Sequence, residues 1–157
     1  MRGNLTSLVV SLIFLLGLAG NASAVEYDHQ TEVRGMTFSW KVDGENLHVK
    51  LTGKTTGWVG IGFNPTEGMK DANYILGYVK NGKVEFSDDY GNSAINHKSD
   101  EELGGTNDIT VVGGEEKGRE TTVEFSIPLD SGDQYDSVLD PEGTTVVLLA
   151  FGGNRDS

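Results

Sequence analysis

The chain contains no cysteine. A disulfide framework, thiolate metal sites, a lipidated N-terminal cysteine and thiol catalysis are therefore excluded together, and stability must come from the buried core. Basic residues are scarce, 12 against 24 acidic ones, for a formal net charge of −12. A field of that sign repels phosphate backbones and anionic lipid surfaces, so no nucleic-acid partner is expected. No window of a dozen residues keeps a helical stripe of apolar side chains. The one long apolar run, LVVSLIFLLGLAG, follows Arg2 and precedes Ala22-Ser23-Ala24. It is short for a membrane span and has no stop-transfer flank, so it reads as a secretory signal cleaved after Ala24. Residues 1–24 are thus expected to be a signal peptide and residues 25–157 a single domain, secreted or periplasmic and without a membrane span.

What is present is period two. Met36, Phe38, Trp40 and Val42 alternate with polar neighbours, and Leu47, Val49 and Leu51 do the same across the Asp43-Gly44 turn. The stretch NYILGYVKNGKVEF repeats the device around Asn81-Gly82, a strong hairpin signal. Further β-branched runs (DITVV, TTVEFSI, TTVVLLAF) are separated by segments rich in turn residues. The layout is that of an antiparallel sandwich or barrel. Residues 88–107 are polar and carry His97, and they read as a long loop.

The segment GWVGIGFNPTEGM is the least ordinary part of the chain. On a strand it sends Val59, Ile61 and Phe63 to one face and Trp58, Gly60 and Gly62 to the other. The second face is a shallow trough beside an indole. Either something approaches the backbone there or a neighbouring strand's bulky residue fills it. Pro65 ends the pairing and the following loop reaches Met69, a soft, proton-free thioether that either ligates haem iron or plugs a gap.

Other chemistry is poorly supported. No serine sits in a nucleophile-elbow context and there is no GxxxxGK phosphate loop. Asp88 and Asp89 are adjacent, so on a strand they point to opposite faces and are poorly placed to flank one bond. Asp130, Asp133 and Asp136 supply hard oxygen atoms of the kind calcium takes, but at a spacing unlike that of an EF-hand, and a solvated acidic turn is the plainer reading.

The block GWVGIGFNPTEGMKDANYILGYV, followed by DDYG, GGTNDITVVGGEEKGRETTVEFSIPLDSGD and VVLLAFG, resembles the DOMON domain family over nearly the whole of residues 25–157. The resemblance implies an all-β fold, an immunoglobulin-like antiparallel β-sandwich of about eight to ten strands. It also implies an electron-transfer module binding haem b, not an enzyme by itself, with Met69 as one axial ligand; the expected bed for the cofactor is the trough of Trp58, Gly60 and Gly62, with Tyr74 beside it. A membrane cytochrome is an example of the redox partner such a module serves. In haem-binding members the second ligand is a histidine near the domain's carboxyl end, and here the chain stops at GGNRDS without one. Three explanations stand. The sequence is a truncated piece of a longer protein; or another histidine substitutes, His97 before His48 or His29; or the domain binds no haem and receives a sugar or a protein partner.

Overall fold

The computed structural model describes residues 25–154. The expected signal segment lies outside them. Among the described residues, ten strands and one helical turn follow in the order β1 (His29–Val33), β2 (Met36–Asp43), β3 (Asn46–Gly53), β4 (Val59–Phe63), β5 (Asn73–Lys80), β6 (Lys83–Ser93), β7 (Asn96–Ser99), α1 (Asp100–Leu103), β8 (Thr110–Lys117), β9 (Glu120–Pro128) and β10 (Val147–Phe151). They form two five-stranded antiparallel sheets, β1-β2-β3-β9-β8 and β10-β4-β5-β6-β7. The expected all-β sandwich is therefore what forms. No helix among the described residues is long and apolar enough to cross a membrane.

Local chemistry accounts for both hairpins. Asn81 and Gly82 take φ of 53° and 74° between the paired Lys80 and Lys83, the doubly left-handed turn whose twist suits flanking strands. Asp43 pairs with Asn46 around Gly44, whose φ is 60°. The alternating residues then close the core: Leu47, Val49 and Leu51 from β3 and Val123, Phe125 and Ile127 from β9 meet Val59, Ile61 and Phe63 from β4 and Ile75 from β5. The β2 stripe fades along its length, from buried Met36 and Phe38 to exposed Val42.

Residues 88–107 depart from the sequence expectation. They are not one loop: β6 runs on to Ser93, β7 folds back on it with Ser99 opposite Asp89, and α1 follows at once. The strand signal is missing from the sequence because the buried positions here are Asp88, Asp89 and Asp100 in place of apolar residues. Hydrophobic periodicity cannot detect a strand whose buried side chains are carboxylates.

Candidate functional site

The glycine strand has the two faces its sequence implies. Val59, Ile61 and Phe63 lie in the core, while Gly60 and Gly62 face away from it. Across the sheet, Gly60 stands between Leu76 and Ala150 and Gly62 between Tyr74 and Leu148. The trough is not bare. The Tyr74 ring rests on Gly62 where any Cβ would collide with it, and Leu76 lies 3.4 Å from where a Cβ on Gly60 would stand. Tyr74 is itself only 7% exposed. The bulky residues of the neighbouring strand fill the space, so a flat guest finds no open backbone at Gly62. Trp58 serves the other end of this face: its indole covers Gly152, and its backbone N–H donates to the Asn154 carbonyl at 3.0 Å.

The loop after β4 is tied to β6 and to the turn that follows it. Met69 N–H donates to the Ala94 carbonyl at 3.0 Å, Asp71 N–H to the Gly91 carbonyl at 2.7 Å, and Gly91 N–H to the Ala72 carbonyl at 2.9 Å. The Met69 carbonyl occupies the place of a Cβ on residue 91, which only glycine permits. Asp71 closes the loop by accepting from Thr66 Oγ1 at 2.5 Å and Tyr90 Oη at 2.8 Å, and these bonds hold its carboxyl below the usual range. Met69 is half-buried and stands outside the apolar core.

His97 lies on β7. Its Nδ1 is 2.5 Å from Asp89 Oδ2, and its ring centroid is 5.9 Å from that of Tyr74. The Asp89 hydrogen bond raises the imidazole pKa, with burial opposing. With Nδ1 engaged, Nε2 is the ring nitrogen left to meet a ligand, and it has no hydrogen-bond partner among the described residues. Met69 and His97 flank β6, one on the β5 side and one on the β7 side, on the order of 10 Å apart at two strand spacings. Tyr74 meets the His97 ring, while Trp58 and Gly60 lie farther along the face. The remaining histidines are on the other sheet, His29 stacked on Trp40 at 5.1 Å and His48 paired with Lys41 and Ser126.

A separate cavity of about 290 Å³ opens beside the core, lined by Phe38, Trp40, Phe63, Leu139 and Val147 with Asp140 at its rim. From the glycine strand it takes Phe63, on the core-facing side, and neither Trp58, Gly60 and Gly62 on the other side nor Met69 in the loop lines it.

The acidic turn breaks up. Asp130 accepts from Gly132 N–H, Asp133 caps Thr106 and Tyr135, and only Asp136 turns inward, to Asp88 and Asp100. Sequence reasoning missed this grouping, because residues so far apart in the chain carry no joint signal.

The family model for the DOMON domain matches residues 32–152. Among curated proteins, the chain is 28% identical over 140 residues to DBH-like monooxygenase protein 1 of Homo sapiens, covering 87% of this chain and 22% of that protein. It is 31% identical over 142 residues to putative DBH-like monooxygenase protein 2 of Homo sapiens, covering 88% of this chain and 27% of that protein. The chain thus spans roughly a quarter of these relatives. Among solved structures, the cytochrome domain of Myriococcum thermophilum cellobiose dehydrogenase aligns with a TM-score of 0.46 at 17% identity, over 59% of this chain and 47% of that one. With the family model spanning both sheets, the chain belongs to the DOMON domain family.

Proposed function

We propose that this domain is an exported haem-binding module that passes single electrons and is not a complete enzyme. The observation that carries the reading is the Asp89–His97 pair beside the Met69 loop. A histidine that ligates a metal characteristically gives its other ring nitrogen to a carboxylate, and a thioether opposite an imidazole is the donor pair of b- and c-type cytochromes. The donor set fits haem iron; the glycine trough, filled by Tyr74 and Leu76, does not serve as its bed. Haem held there would supply one-electron exchange. The chain's own residues do the rest. Asp89 fixes the tautomer with the proton on Nδ1 and the lone pair on Nε2, Met69 offers sulfur with no proton to lose, and Tyr74 walls the site on the sheet side. Export rests on Arg2, the apolar run after it and Ala22-Ser23-Ala24.

The experiment is an absorption spectrum of the purified protein with haem added, oxidised and reduced. A sharp Soret band displaced in both Met69→Ala and His97→Ala is expected. A colourless protein, or a band indifferent to both substitutions, overturns the reading.

One observation favours a second, haem-free reading: the aromatic cavity of about 290 Å³ is open while the trough is filled. A small ligand with an apolar face, such as a sugar ring, would lie against Trp40. Quenching of tryptophan fluorescence that is lost in Trp40→Phe, in a protein that takes up no haem, supports this reading over the first. The monooxygenase relatives are matched over 22% and 27% of their lengths, and their activity is not carried over to this chain.

A further inference from the structure

Asp89 faces outward to His97, and its neighbour Asp88 faces the interior, opposite Ile75 on β5. There Asp88 meets Asp100, the first residue of α1, and Asp136, in the segment after β9. One carboxylate oxygen from each lies within 4.8 Å of the others. Asp88 is 3% exposed and Asp100 is 0% exposed.

Buried carboxylates are normally surrounded by donors, and here the donors fall short. Asp136 accepts from Asn73 Nδ2 at 2.7 Å and Ser131 Oγ at 2.6 Å, and Asp88 Oδ2 accepts from Asp108 N–H at 3.0 Å. Asp88 Oδ1, both Asp100 oxygens and Asn73 Oδ1 are buried with no hydrogen-bond partner among the described residues. The last of these is a neutral amide oxygen, so the shortage is one of electropositive partners generally and not a feature of the carboxylates alone. The charged groups that act most strongly on the cluster, Asp108, Asp133 and Asp89, are themselves acidic. Burial, with this repulsion added, pushes Asp88 up to about 8, Asp100 to about 7 and Asp136 to about 6. A carboxylate left both buried and unpaired is strongly destabilising.

We propose that Asp88, Asp100 and Asp136, with the side-chain oxygen of Asn73, bind a calcium ion that fastens β6 and the β7–α1 junction to the segment after β9. All the donors are oxygen, which selects a hard cation over zinc or copper. They come from four separate stretches of chain with three negative charges among them. That arrangement suits the larger, geometrically tolerant calcium ion more than magnesium, which holds its own waters in a strict octahedron. The site has a mechanical consequence: Asp100 directly follows Ser99, so the ion anchors the end of the strand that carries His97. It stands whether or not the domain binds haem.

The test uses the purified protein stripped with a chelator and titrated with calcium chloride alone, by calorimetry and by thermal melting. One calcium per chain is expected, with a midpoint raised by about 10 °C once calcium reaches a hundredfold excess over its dissociation constant. Asp100→Asn should bind calcium at least ~100-fold more weakly while melting, without metal, no lower than the parent, because the amide relieves repulsion. Asp130→Asn, in the exposed turn, should leave binding unchanged. Absence of heat and of any midpoint shift at millimolar calcium overturns the site, as does Asp100→Asn with undiminished affinity. An equal response to magnesium overturns the assignment to calcium.

Discussion

Asp88 and Asp89 are consecutive residues on β6 with opposite circumstances. Asp89 reaches the outer face and finds His97 Nδ1 at 2.5 Å and the Ser87 hydroxyl. Asp88 reaches the inner face and finds mainly other acids, with one of its oxygens lacking any hydrogen bond. A strand inverts its environment at every residue, so chain adjacency says nothing about electrostatic fate. The same inversion separates Ile61 from Gly62 on β4. Ile61 contributes volume to the core, and Gly62 contributes the absence of volume that lets Tyr74 lie down.

The inner face should dominate stability. Ile61 is fully buried among core residues contributed by both sheets, so Ile61→Ala should cost about 2–5 kcal/mol from lost burial and the cavity left behind. Urea denaturation at constant m-value checks it. A cost near zero would mean that the core relaxes around the gap, and the contrast with Gly62 would lose its basis.

Next in size is a pH effect confined to the inner acids. A carboxyl whose folded pKa is raised contributes stability that is intact below its unfolded value near 4 and is lost as pH rises through the folded value. Asp88 at about 8, Asp100 at about 7 and Asp136 at about 6 place that loss between pH 4 and 8, in protein kept free of divalent cations. His97, also raised, acts in the same direction. Asp71 and Asp133 are lowered, and their contribution falls only as pH drops below the usual carboxylate range. Thermal melts across that window should therefore slope downward. Asp88→Asn should flatten the slope, and a slope unchanged in that variant would assign it elsewhere.

These inner acids also mark the limit of what the sequence displays. Both hairpins were legible because Asn81-Gly82 and the alternation across Gly44 are local signals, and the inner face of β4 was legible for the same reason. The β7 strand was not, since its pairing partner buries aspartates where the alternation rule looks for valine or isoleucine. The contents of the glycine trough could not be read either. Strand period places Gly62 on the outer face, but only the register opposite Tyr74 decides that a tyrosine ring fills it. The Asp88, Asp100 and Asp136 grouping depends on three segments meeting in space, and Asp130 and Asp133, which look equivalent to Asp136 in the chain, turn away to cap backbone amides.

On the outer face the expected effects are smaller. Gly62→Ala puts a methyl into the Tyr74 ring, which must shift or tilt, at a cost of about 1–3 kcal/mol. The ring contacts His97 at 5.9 Å, so the shift should also alter the His97 environment in an NMR spectrum. A neutral substitution would show that the trough has slack after all and would reopen it to a guest.

The smallest change in stability and the sharpest in titration belongs to Asp89→Asn. The carboxylate bond is the leading cause that raises His97, and burial works against it, so removing the charge should bring the imidazole pKa down toward or below its ordinary 6.5. The sign follows from linkage. The pair stabilises the fold below the unfolded histidine pKa and ceases to do so as pH rises through the folded one, so the variant should be weaker in acid and match the parent in alkali. Asp89 is buried, its side chain 8% exposed against 29% for His97, but the asparagine amide oxygen still accepts from Nδ1, so the difference should stay at about 1 kcal/mol. Following the ring proton by NMR against pH in the haem-free protein reads the shift directly. An unmoved His97 would mean that Asp89 does not hold Nδ1, and Nε2 would then have no fixed direction in which to meet an iron.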